Sequence, residues 1–113
     1  MRMNKSLNST YTEEKLYEII KYLATANGDM RQRLKIMSVE IALLDQESFS
    51  DNLKNKWKYV ENTLYKYPPK NNWNNTREEM SSIEHSLSKM QNRTACKVAE
   101  IIFELWEDIN KIN

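Results

Sequence analysis

Apolar residues recur along this chain in steps of three and four, the spacing that lines one face of a helix. Leu16, Ile19, Ile20 and Leu23 form the first stripe and predict a helix over about 11–26. Thr10 and Glu13 have capping-box spacing at its start, in which each side chain accepts from a backbone N–H at the other position. Asn27 and Gly28 end it, because glycine takes the left-handed closing conformation without a Cβ clash.

A second helix starts at once. Asp29 suits an N-cap, with Gln32 three residues on. Leu34, Met37, Ile41 and Leu44 are its stripe, widened by Ile36 and Leu43. "DQESFSD" breaks the pattern, and its Phe49 is expected to anchor the loop in the core. A third helix is predicted over about 51–67, capped by Ser50 and carrying Leu53, Trp57, Val60 and Leu64. Pro68 and Pro69 stop it, since neither can donate a backbone hydrogen bond.

After the loop "PPKNNWNN", Thr76 and Glu79 suggest a second capping box, followed by the stripe Met80, Ile83, Leu87 and Met90. "QNRT" is a weak boundary, with Thr94 as the expected cap of the last helix. That helix has two stripes: Val98, Ile102, Leu105, Ile109 and Ile112, then Cys96, Ala99, Phe103 and Trp106. A helix apolar over so much of its circumference sits centrally in a bundle or contributes to an interface. No alternating strand pattern and no internal repeat occur. The pattern predicts an all-α fold, a single-domain bundle of four to five helices over 1–113, with 1–9 as a flexible N-terminal segment.

Composition narrows the function more than the fold. A chain of 113 residues is long enough for a real core. Seventeen basic and sixteen acidic residues leave a net charge of +1, which argues against bulk polyanion binding and leaves local patches open. The single cysteine, Cys96, excludes an internal disulfide. No apolar run suits a signal core or a membrane span, so a cytoplasmic protein without membrane attachment is expected. Small size and a bias toward Asn and Lys suggest a bacterial or phage origin.

The only glycine opens "NGDMRQRL", which raises the question of an anion site at a helix start. Arg31 and Arg33 would serve it, but Asp29 occupies the place an anion would take, so a capped corner is the stronger reading. The stretch 52–77 carries Lys54, Lys56, Lys58, Lys66, Lys70 and Arg77 against Glu61 alone, interleaved with Trp57, Tyr59, Tyr65, Tyr67 and Trp73. Cations on phosphates and rings on bases are the chemistry of nucleic-acid binding. Trp57 falls on the apolar stripe, however, which makes the lysines an ordinary solvated face.

Trp73 lies on no stripe and either folds back on the core or stands exposed as a partner contact; Phe103 and Trp106 on the surplus face of the last helix are further candidate partner contacts. The acids Glu100, Glu104, Glu107 and Asp108 could meet the basic stretch within the bundle or in a second subunit. His85, the only histidine, is expected to be exposed, and Cys96 to be a small buried thiol. There is no P-loop, zinc spacing, Glu-x-x-His pair or nucleophile elbow. The sequence therefore predicts no catalytic residue, no metal and no cofactor. It suggests a non-enzymatic interaction module, an accessory, immunity or inhibitor protein acting on a protein partner, with homodimerisation through Phe103 and Trp106. The alternative is a nucleic-acid-binding domain using Lys54, Lys58, Lys66, Lys70 and Arg77.

Overall fold

Helical spacing becomes helix throughout the computed structural model, which describes residues 2–70 and 80–112, with side chains for 10–70 and 80–111. The α-helices are α1 (Arg2–Thr25), α2 (Met30–Ile36), α3 (Ser38–Ala42), α4 (Lys54–Leu64), α5 (Ser82–Lys89) and α6 (Asn92–Ile112). A 3-10 turn, Gln46–Ser48, precedes α4. No strand occurs among the described residues; one antiparallel backbone bridge joins Lys70 to Met80. The chain is an all-α bundle.

α6 is the central element, packing against α1, α2 and α4. Its first stripe enters the core, with Val98, Ile102, Leu105 and Ile109 buried; of the second, Ala99 and Trp106 pack against the core half-buried while Cys96 and Phe103 face solvent. The buried stripe meets Leu16, Ile19 and Leu23 of α1, Leu34 and Ile41 of α2 and α3, and Trp57, Val60 and Leu64 of α4 in one continuous cluster. Phe49 is buried as expected and stacks on Trp57 at 5.0 Å between ring centroids. Trp57 is fully enclosed, and its indole N–H donates to Glu61 at 3.0 Å. The same carboxylate accepts from Gln46, which ties the 3-10 turn to α4.

Several boundaries differ from the sequence expectation. α1 runs straight through Thr10, so Thr10 and Glu13 do not cap its start. The second predicted helix is distorted at Met37, although Met37 N–H still bonds to Arg33 and Ile41 N–H to Met37 in the helical pattern. Thr76 and Glu79 lie outside the described residues; α5 is capped by Ser81, whose side chain takes Glu84 N–H while Glu84 returns a bond to Ser81 N–H. Met80, extended at the bridge to Lys70, precedes that cap. The break before α6 falls at Met90 and Gln91, which leaves Thr94 inside the helix.

Burial corrects four side-chain expectations. Ile36 and Leu43 point to solvent and do not widen the core stripe. Cys96 is exposed, because Ala95 takes the inward position on that turn. His85 is half-buried, donating from Nδ1 to the Pro68 carbonyl at 2.8 Å and resting against the Tyr67 ring.

Candidate functional site

The corner between α1 and α2 is fully used by the chain itself. Gly28 has φ +92°, the conformation that requires glycine. Asp29 caps α2 with a complete capping box through Gln32. The next free donor, Met30 N–H, is taken by the side-chain oxygen of Asn92 at the start of α6. Arg31 donates to Asp29 at 2.9 Å and to the Met90 carbonyl. Its bond, with Gln32 N–H second, holds the Asp29 carboxyl below the usual carboxylate range. Arg33 reaches back to the Gly28 and Leu23 carbonyls at 2.8 and 2.9 Å, so it closes the end of α1 from the following helix. Both anion-site candidates are thus engaged with oxygens of the corner.

The lysine-rich stretch disperses. Lys54 pairs with Asp51 at 3.4 Å and, more loosely, with Glu47. Lys56 lies 2.8 Å from Asp108 and 3.5 Å from Glu104, so the acidic face of α6 does meet the basic stretch inside the bundle. The Asp108 bond, reinforced by both negative charges, raises the Lys56 pKa despite some desolvation. Lys58 is exposed on α4, and Lys66 sits over the Tyr67 ring. Lys70 is held in the bridge to Met80. Arg77 and Trp73 lie outside the described residues. What the stretch does form is a cleft of about 520 Å³ lined by Tyr59, Lys66 and Tyr67 on one side and Lys89, Gln91 and Thr94 on the other. No carboxylate is among these lining residues.

The most developed feature lies between α1 and α6. The second stripe of α6 turns outward here, leaving Phe103 43% exposed and Trp106 half-buried. Tyr17 of α1, 51% exposed, completes a row of three rings, with centroids 6.2 Å from Tyr17 to Trp106 and 6.0 Å from Trp106 to Phe103. These distances lie within the range of tilted aromatic pairs. Beside the row is a cleft of about 330 Å³ lined by Glu13, Glu14, Glu18, Tyr17 and Trp106.

Comparison with protein-family models, curated proteins and solved structures found no match to the chain. Function is therefore read from the surface alone. Phe103 and Trp106 were legible as a surplus stripe; Tyr17 was not, because it joins them only through the pairing of α1 with α6. Lys89 escaped for the same reason, reaching the α4 cleft from another helix. Among the described residues no cluster of His, Cys, Asp or Glu has metal-site geometry, and no helix is long and apolar enough to cross a membrane.

Proposed function

We propose that the chain is a non-enzymatic, cytoplasmic interaction module that binds a protein partner through the α1–α6 aromatic face. The class that fits is a small accessory, immunity or inhibitor protein of bacterial or phage origin. The observation that carries the reading is the row Tyr17–Trp106–Phe103, rigid rings that offer contact area at little entropic cost. The carboxylates of Glu13, Glu14 and Glu18 in the adjoining cleft, the last of them 3.4 Å from Lys15, favour a partner segment bearing Lys or Arg, whose cation can lie over a ring and face an acid at once.

Selection of a random peptide library on the folded protein tests this. The expected winners combine basic residues with an apolar anchor and lose binding to a Phe103→Ala/Trp106→Ala variant. Winners that bind that variant equally, or no enrichment at all, would refute the reading.

A second reading rests on the α4 cleft. Two tyrosines, two lysines and no lining carboxylate suit a phosphate-bearing base, which keeps nucleic-acid binding as the alternative. Binding of single-stranded oligonucleotides that falls steeply with salt and is lost in Lys66→Gln/Lys89→Gln would favour it. Negligible binding at physiological salt would remove it.

A further inference from the structure

The largest solvent-facing aliphatic side chains in the described structure are on α2, on α3 and at Leu43, the residue that closes α3. Ile36 is 60% exposed, Val39 67% and Leu43 52%. They are spaced i, i+3 and i+7, and the helical bonding that carries across Met37 keeps them on one face. That face points directly away from the core, since Leu34, Met37, Ile41 and Leu44 are buried on the other side. Three aliphatics in a row on the outside of a helix form a patch, and a patch of this kind marks an interaction surface.

Charge identifies the occupant. On the N-terminal side of the stripe the chain carries Arg31, Arg33 and Lys35 against Asp29, which pairs with Arg31, a net of +2. On the C-terminal side it carries Glu40, Asp45, Glu47 and Asp51 against Lys54, which lies near Asp51 and Glu47, a net of −3. An evenly charged partner would be attracted at one end and repelled at the other. A second copy laid antiparallel places each basic end on the other's acidic end, Ile36 against Leu43, and Val39 against itself.

We propose that this face is an isologous interface on which two copies of the chain pair through α2 and α3 about a two-fold axis near Val39. The α1–α6 face is a poorer site for self-pairing. Two copies centred on Trp106 would bring Glu13, Glu14, Glu18 and Glu107 of one against those of the other. At the α2–α3 face only Glu40 opposes the pairing, because it lies beside the axis and meets its own copy.

Light scattering and equilibrium sedimentation over a range of concentrations test the proposal. The unmodified chain is expected to dimerise, and Val39→Asp, a change at an exposed position that circular dichroism should show still folded, to be monomeric. Glu40→Gln should tighten the dimer a few-fold. Lys35→Glu and Glu47→Lys should each weaken it alone, and an equimolar mixture of the two should recover it, because in the mixed dimer one contact is reversed as a pair and the other is native. A strict monomer at every concentration overturns the proposal. So does a dimer that survives Val39→Asp, or one abolished by Phe103→Ala/Trp106→Ala instead. Failure of the mixed variants to recover association overturns the antiparallel arrangement.

Discussion

Replacing Gly28 with alanine tests the corner on which the first two helices depend. The native φ of +92° is costly for a residue with a Cβ, by about 1–2 kcal/mol. The added methyl would also overlap Oε1 of Gln32, the atom that accepts from Asp29 N–H at 3.0 Å. Gln32 must move, and a hydrogen bond of this kind contributes about 0.5–1.5 kcal/mol. Together the loss is about 1.5–3.5 kcal/mol. In a domain of this size that corresponds to a fall in Tm of roughly 10 °C. Urea and thermal unfolding followed by far-UV circular dichroism measure it. The double variant Gly28→Ala/Gln32→Ala separates the two contributions. It should cost less than the sum of the single changes, because the methyl no longer meets the Gln32 amide and only the Cβ at 3.3 Å remains. A Gly28→Ala protein within about 0.5 kcal/mol of the parent would refute the reasoning. Strict additivity in the double variant would refute the Gln32 part alone.

Leu105→Ala should cost about 2–5 kcal/mol as a buried truncation, whereas Ile36→Ala in the isolated protomer should change unfolding by no more than a surface substitution does. Asp29 has a lowered folded-state pKa, so its ionic contribution is complete above its ordinary value of 3.8 and is lost as pH falls through the lowered one. Asp29→Asn should therefore flatten the acid limb of the stability curve, and an unchanged limb would remove Asp29 as its source. Lys56 has a raised pKa, so its contribution is complete below 10.5 and is lost as pH rises through the raised value. Because the pair is more than a third open to solvent on the lysine side, Lys56→Gln should cost under about 1 kcal/mol at neutral pH, which denaturant titration would check.

The inward stripes were legible because each helix buries a face of regular spacing: Leu34, Met37, Leu64, Leu87, Val98, Ile102 and Leu105 are all buried. The same spacing does not say how many neighbours a helix has. On α2 and α3, Ile36 and Leu43 fit a broad stripe as well as they fit an outward one, and on α6 the Cys96–Trp106 stripe fitted a central helix as well as an interface. Local rules found Asp29 and Gly28, whose partners lie within a few residues. They could not find Arg33, which bonds to carbonyls of the preceding helix, or Asn92, which caps α2 from 62 positions away in sequence. They also favoured Thr76 over Ser81 as the start of α5, because Met80 extends the apolar spacing by one step. The aromatic face needed the pairing of α1 with α6, which no stretch of sequence records.

The bridge between Lys70 and Met80 ties the chain that leaves α4 to the chain that enters α5. Its two backbone bonds, at 2.8 and 3.0 Å, fasten both ends of the intervening residues 71–79 to each other. Below the bridge the chain is fixed again, with Tyr67 N–H on Ser86 and the Pro68 carbonyl on His85. Lys70 and Met80 are therefore held together by their own bonds and by the anchors beside them. The pair works as a clasp: it sets the end of α4 against the start of α5 at this edge of the bundle, independently of how the two are joined in sequence.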